Sequence, residues 1–265
     1  MPRANASAER VIWNGSAVAK NPSLDELWDL PLPGYYHSPP PCVSPLPEAA
    51  ARYLEHAIAP GTRLASSVRL RMHGQIKLKQ WLPFTAEQVI HQRYGMIWKA
   101  AVRRSGMIIR GFDRLLNGKA AMKWKLFGLI PVMSASGPDI DRSAAGRLMA
   151  ESVWLPSILC ANNIIWTARD NLHPCARLVV GTEAQELSFS IDDEGRLQNL
   201  HLQRWGNPES REFHYVSFGG VVEEERAFGG YTIPTRLRVG WHFGTDRFET
   251  EGEFFRVTID DATYR

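Results

Sequence analysis

One stretch of the sequence places ionisable side chains at a spacing that suits acid–base chemistry. In RSAAGRLMAESVWLP, residues 142–156, Glu151 follows Arg147 by four positions, so both lie on one face of a predicted helix. Inside a cavity, Glu151 can act as a general acid or base, because burial favours the protonated form of a carboxyl group. Arg147, or Arg142 one to two turns earlier, would hold its charge. The alternative is a salt bridge between Arg147 and Glu151 that aligns the helix on a sheet.

Tryptophan is the second residue type that suggests a binding site. The chain contains nine tryptophans, and each buried indole needs a partner for its N–H group. Six of them fall on predicted strands, at the end of the predicted helix or beside a turn: Trp98, Trp124, Trp154, Trp166, Trp205 and Trp241. Four of these six predict an aromatic wall around an apolar ligand: Trp98, Trp124, Trp154 and Trp241. The alternative is that these rings only fill the hydrophobic core.

Several common kinds of site have no motif in this sequence. It contains no GxGxxG or GxxxxGKS/T phosphate loop and no GxSxG nucleophile motif, and its eight histidines form no HExxH or HxH pair. We therefore expect no metal and no cofactor. The string Trp205-Gly206-Asn207-Pro208 has the composition of a chain reversal, which favours a structural corner over a site.

Two stretches have the spacing of an amphipathic helix. Apolar residues recur at i, i+3, i+4, i+7 and i+8 from Ala50 to Ile58, between two prolines. The second stretch, residues 139–155, contains the Arg147 and Glu151 pair and precedes a proline. Before the first helix, the proline content of residues 1–45 predicts an extended arm.

From Ser67 onward, apolar and polar residues alternate, which predicts antiparallel strands with one face exposed to water. After the strand that begins at Ser67, alternation marks strands at 84–90, 95–103, 107–115, 119–127, 163–168, 175–180, 185–192, 196–203, 212–218, 231–243 and 252–260. We predict a mainly β fold over residues 46–265. It consists of a single long, curved antiparallel sheet, a half-barrel or open barrel, covered by the N-terminal helix and the mid-chain helix.

Length and composition limit the class of protein. The 265 residues, 44% of them hydrophobic, allow a sizeable core. The 31 Lys and Arg against 28 Asp and Glu leave a net charge of +3, and the basic residues are scattered along the chain, which argues against a nucleic-acid partner. Without a signal-peptide pattern or an apolar run of about 18 residues, we expect a cytoplasmic protein with no integral membrane segment. The oligomeric state stays open.

Three strings carry a family resemblance: GPDIDRSAAGRLMAESVWLPS, RWGNP, and FGGYTIPTRLRVGW with FFRVTIDDATYR. They are similar to an uncharacterised bacterial family, a domain of unknown function, over roughly residues 65–265. That family has no established activity, so the resemblance implies no catalytic residue. A looser architectural resemblance, carried by GGYTIPTRLRV and by the strand, helix, strand order, is to lipoprotein-carrier half-barrels. It implies a long antiparallel sheet around an apolar groove closed by helices.

Together these features favour the binding of an apolar or amphipathic small molecule in an aromatic-lined cavity, with the helix at 139–155 as part of its lid. The alternative is a cofactor-independent cyclase or isomerase for a polyketide- or terpenoid-like substrate, whose pocket fixes the reactive conformer. A third hypothesis is an accessory protein whose arm, residues 1–45, binds a partner. A carboxylate or arginine inside the cavity would favour the enzyme, and a wholly apolar lining the carrier.

Overall fold

The computed structural model of the protein describes residues 22–31 and 46–265. A single sheet of thirteen antiparallel strands dominates this part of the chain. In chain order the strands are β1 (Ser67–Lys77), β2 (Trp81–His91), β3 (Gly95–Arg104), β4 (Met107–Leu116), β5 (Lys119–Leu126), β6 (Ile130–Ser136), β7 (Ile165–Ala168), β8 (Pro174–Val180), β9 (Glu183–Ile191), β10 (Leu197–Gly206), β11 (His214–Phe228), β12 (Tyr231–Trp241) and β13 (Glu253–Tyr264).

The first and last strands pair with each other and join two meanders into one sheet. Leu70 of β1 lies opposite Ala262 of β13 on one side and opposite Gln88 of β2 on the other. The strand order runs from β6 to β1, then from β13 to β7, and the described strands β6 and β7 form its two outer edges. The predicted fold class is confirmed: one antiparallel sheet forms an open half-barrel.

Both predicted helices cover the inner face of this sheet. α2 (Glu48–Ala57) packs Tyr53 against Phe189 of β9, with ring centres 4.9 Å apart. The mid-chain segment was predicted as one helix to residue 155, but only Pro138–Ala150 is α-helical, and two 3₁₀ turns follow. Pro156 has no N–H to donate to the Ser152 carbonyl and disfavours helical backbone at Leu155, so the last turn before it is not α-helical, and Leu155 donates to Ser152 instead. Among the described residues, no helix combines the length and apolarity that crossing a membrane requires.

A short helix that the sequence did not predict lies on the outer face. α1 (Leu24–Trp28) begins at a capping box formed by Ser23 and Glu26, and its two leucines are buried against β2 and β3. The prediction of an extended arm over residues 1–45 is therefore wrong for these five residues. They are too few to show helical periodicity. Residues 1–21 and 32–45 of the predicted arm lie outside the described residues.

One strand was not predicted, and another is ten residues longer at its end than predicted. Residues 130–136 were not predicted as a strand, because six of the seven residues of β6 are exposed and no alternation marks a buried face. β11 was predicted to end at residue 218 but continues to Phe228 and includes an acidic run. One residue of that run, Glu223, accepts hydrogen bonds from Arg236 and Arg238 of β12 at 3.0 and 3.1 Å. These pairs allow acidic side chains within the strand.

Candidate ligand-binding cavity

A cavity of about 390 Å³ lies between the inner face of the sheet and the α3 segment, which is Pro138–Ala150 with the following 3₁₀ turn Glu151–Trp154. Leu148 and Met149 are fully buried and fix α3 on the sheet, while Arg147 and Glu151 line the cavity. The aromatic side chains of the lining come from several strands and turns: Trp98, Trp154, Phe213, Phe218, Trp241, Phe254 and Phe255. Such a lining suits an apolar ligand.

One cation and two carboxylates form an ionic network at the cavity wall. Arg147 donates from Nε to Glu151 Oε1 at 2.6 Å and from Nη1 to Asp113 Oδ2 at 2.9 Å. Gln88 Nε2 donates to the other oxygen of Glu151 at 2.6 Å, and Trp124 Nε1 donates to the other oxygen of Asp113 at 3.0 Å. Although burial alone would lower the pKa of Arg147, the two carboxylates raise it above its ordinary value.

This network ties α3 to the sheet. Asp113 belongs to β4 and Gln88 to β2, so Arg147 and Glu151 connect the helix to two strands. Each carboxylate already accepts hydrogen bonds from two side chains, a geometry that favours positioning of the helix over proton transfer. The lining is thus neither wholly apolar nor equipped with an unengaged acid. The arginines and carboxylates in the lining differ from the wholly apolar lining expected of a carrier. Because both carboxylates are engaged by side-chain donors, however, they do not supply the acid or base that a cyclase or isomerase would need.

The four tryptophans of the predicted wall occupy two layers. Trp98, Trp154 and Trp241 line the cavity. Trp124 stands behind Trp98, with ring centres 5.7 Å apart, so it supports the wall without lining it. Trp154 donates its N–H to a backbone carbonyl of β12 at 3.1 Å. The buried Nε1 of Trp98, in contrast, has no acceptor among the described residues.

Arg142 does not line the cavity. Its Nε donates to Glu183 Oε1 at 2.8 Å, its Nη2 donates to Tyr215 Oη at 2.9 Å, and its guanidinium lies 3.6 Å from the centre of the Trp205 ring. The prediction that it helps to hold the charge of Glu151 is therefore wrong. At about 100° per residue, a side chain nine positions earlier on a helix points to the opposite side.

Arg204 of β10 lines the cavity, although the sequence pattern did not reveal it. Its Nε donates to the Ser143 carbonyl at 3.0 Å, and its guanidinium lies 4.5 Å from the ring centre of Phe218 and 4.9 Å from that of Trp241. Within the described ranges, no carboxylate lies at ion-pair distance from it. Burial lowers the pKa of Arg204 to about 9, and repulsion from Arg147 acts in the same direction. Arg204 is thus a partly buried cation without a direct counter-ion.

Two glycines leave room for the cavity side chains. A Cβ atom at Gly146 of α3 would lie 2.9 Å from Arg204 Cγ, and a Cβ at Gly206 would lie 2.3 Å from the Trp241 ring. Gly206 belongs to the string predicted as a chain reversal. A turn is present there, with the Ser210 N–H donating to the Asn207 carbonyl at 2.9 Å, but residues 206–208 also line the cavity. A glycine next to Trp205 in the sequence could have indicated a place where another group approaches the backbone closely.

Residues 44–264 match the model of a family of unknown function, DUF6920. This match covers most of the chain, which therefore belongs to that family, and the predicted resemblance to an uncharacterised family is confirmed. No curated protein matches the chain.

Three solved structures resemble the fold. An outer membrane lipoprotein-sorting protein domain, so described, from Vibrio parahaemolyticus has 8% identity and a TM-score of 0.41, over 82% of this chain and 92% of that one. A DUF1329 family protein from Desulfovibrio piger has 9% identity and a TM-score of 0.40, over 82% and 90%. A LolA superfamily protein from Nitrosomonas europaea has 10% identity and a TM-score of 0.42, over 82% and 92%. At these identities and TM-scores, the three structures support no conclusion about the ligand or the site of this chain.

Proposed function

We propose that this member of the DUF6920 family binds an amphipathic small molecule in the inner cavity. The observation that carries the proposal is the lining, in which aromatic and aliphatic side chains surround about 390 Å³ and one cation lacks a direct counter-ion. Small-molecule sites typically have volumes of about 300–1,000 Å³, apolar walls and a few polar groups that fix the ligand's orientation.

We infer that the polar group of the ligand is an anion, because Arg204 is a cation with unused N–H donors. A guanidinium group has five N–H donors. Arg204 donates from Nε to the Ser143 carbonyl and from Nη2 to Ser143 Oγ. Its other donors have no hydrogen-bond partner among the described residues. A ligand carboxylate or phosphate would supply the counter-ion that this partly buried cation lacks, while the ligand's hydrocarbon part contacts the aromatic walls. Arg147, in contrast, is already held by Asp113 and Glu151.

The experiment compares two ligands that differ only in the head group, dodecanoate and dodecanol, by titration calorimetry at neutral pH. Charge-assisted hydrogen bonds contribute about 1.5–3 kcal/mol, so dodecanoate should bind at least about tenfold more tightly. Arg204→Met keeps the length of the side chain and removes the charge. In this variant, dodecanoate and dodecanol should bind with similar affinity.

Arg142→Met is the matched control, because it removes an arginine of α3, the helix that covers the cavity, without changing the cavity lining. It should leave the preference for dodecanoate intact. Equal affinity of the wild-type protein for the acid and the alcohol would contradict the anionic head group. Failure of both ligands, and of a longer pair, to bind would contradict the cavity as a ligand site.

Native mass spectrometry of the protein purified from its own host addresses the natural ligand. A co-purified species of defined mass, absent after Trp241 is replaced by a charged residue, would support occupation of the cavity. The compartment that we propose is the cytoplasm, and fractionation of the host cell tests it.

A further inference from the structure

The two halves of the sheet carry opposite charge. Residues 67–136, which form β1 to β6, contain thirteen Lys and Arg but only two acidic residues, Glu87 and Asp113. Residues 183–265, which form β9 to β13, contain sixteen Asp and Glu and nine Lys and Arg. The basic residues are scattered along the whole chain, but the strand order gathers these thirteen into one contiguous half of the sheet. Such asymmetry is typical of proteins that meet a charged surface.

The outer face of this basic half has a wide, open depression of about 750 Å³. Six cationic side chains line it: Arg69, Arg71, Lys99, Arg110, Lys123 and Lys125. Arg110 and Lys125 stand directly opposite each other on β4 and β5, although like charges in that position destabilise a sheet. Arg69 and Arg71 have carboxylate partners, but the other four make no ion pair within the described part of the chain. Their charges are therefore available to an external anion.

An exposed apolar hairpin lies beside these cations. The β5–β6 turn and the edge strand β6 expose five large apolar side chains, with exposed fractions given after each name: Phe127 52%, Leu129 79%, Ile130 58%, Val132 51% and Met133 44%. Lys125 is two residues before the turn and pairs with Pro131 on β6. A cluster of exposed apolar residues of this size marks an interaction surface.

Two neighbouring turns extend this surface. Because successive strands run in opposite directions, the β1–β2, β3–β4 and β5–β6 turns lie at one end of the sheet. The β1–β2 turn adds Leu78, which is 61% exposed, between Lys77 and Lys79. The β3–β4 turn follows Arg103 and Arg104. Apolar tips and flanking cations therefore point in a common direction.

We propose that this end of the basic half, centred on the β5–β6 hairpin, docks on an anionic lipid bilayer. The apolar side chains would enter the interface between headgroups and acyl chains, while the cations around them bind lipid phosphates. This surface lies outside the ligand cavity and does not depend on the proposed ligand.

Two other partners fit the surface less well. A second copy of the chain pairing along β6 would bring two basic halves together, and Pro131 has no N–H to donate to a neighbouring strand. A nucleic acid would use the cations but would leave five aliphatic and aromatic side chains of the hairpin exposed to water.

The test is co-sedimentation of the full chain with vesicles of phosphatidylcholine, either pure or containing about one-third phosphatidylglycerol. The wild-type protein should bind the anionic vesicles, and binding should weaken as salt is raised. Ile130→Ser should weaken partitioning about tenfold, because it removes one apolar side chain from the interface. Lys125→Gln should weaken it about fivefold.

Ile165→Ser is the matched control. Ile165 is 59% exposed, like Ile130, but lies on β7 at the opposite edge of the sheet. This variant should bind vesicles like the wild-type protein, and circular dichroism should show that all variants fold. The proposal is overturned if the wild-type protein does not bind anionic vesicles, or if Ile130→Ser and Ile165→Ser bind equally. Binding of oligonucleotides but not of vesicles, with an affinity that Ile130→Ser leaves unchanged, would point to a nucleic acid and also overturn the proposal. The same holds if the only effect of Ile130→Ser is to dissociate a dimer.

Discussion

Gly146 of α3 and Arg204 of β10 meet so closely that a Cβ atom at residue 146 would lie 2.9 Å from Arg204 Cγ. The absence of a side chain at Gly146 therefore sets how near the arginine stem can approach the helix. Arg204 reaches the cavity between this helix and the rings of Phe218 and Trp241. The position of its charge thus depends on the packing of α3 against the sheet.

Gly146→Ala should reduce the preference for dodecanoate over dodecanol, because the new methyl group displaces Arg204. Stability should change by no more than about 2 kcal/mol. Alanine gains about 1 kcal/mol of helix propensity, and overpacking costs about 1–3 kcal/mol. Calorimetry with both ligands and a urea titration give the two quantities. An unchanged preference in a folded variant would show that Gly146 does not position the arginine.

Arg147→Met should destabilise the protein by about 3–5 kcal/mol, since it leaves the charges of Asp113 and Glu151 without their cation. Arg204→Met should leave the free energy of unfolding unchanged or raise it, because it removes a partly buried cation that has no carboxylate partner among the described residues. The free energy of unfolding in urea measures both changes. Equal destabilisation by the two variants would contradict this division of roles.

His91 should make the protein sensitive to acid. Burial, with the nearby charges of Arg265 and Arg93, lowers the pKa of this fully buried imidazole from 6.5 to about 4. Between these values the unfolded chain binds the proton and the folded chain does not. The stability that His91 contributes is therefore fully present above pH 6.5 and is lost as the pH falls through 4, by about 3 kcal/mol.

The measurement for His91 is the free energy of unfolding at several pH values, for the wild-type protein and for His91→Gln. Other groups titrate in both proteins, so the difference between the two curves isolates the histidine. That difference should change between pH 6.5 and 4 and stay constant above pH 7. Parallel curves over the whole range would rule out this role.

Arg142→Met should destabilise the protein by less than about 1 kcal/mol, because the pair with Glu183 lies at the surface and Tyr215 still donates to that carboxylate. Ligand affinity should not change. Thermal melting and the dodecanoate titration check both points. A loss of affinity for dodecanoate would contradict the conclusion that Arg142 lies outside the ligand site.

The sequence predicted those elements in which buried residues recur at a regular spacing. Alternation along β1 to β5 and the stripe of α2 predicted the sheet and its covering helices, because one face of each element is buried. Strand β6 and helix α1 escaped prediction for two reasons. The strand is exposed on both faces, and the helix has only five residues. Arg204 was missed because its environment depends on contacts between β10, β11 and α3, which no local spacing reveals.

The open edges of the sheet have a mechanical consequence. The described strands β6 and β7 are not hydrogen-bonded to each other, so the two halves of the sheet can separate slightly without breaking any bond between paired strands. α3 crosses this opening and is bound to both sides, through Lys119 and Asp141 near β5 and through Arg142 and Glu183 on β9. The size of ligand that the half-barrel accommodates then depends on how far these side-chain ion pairs can stretch, and not on the backbone hydrogen bonds between strands.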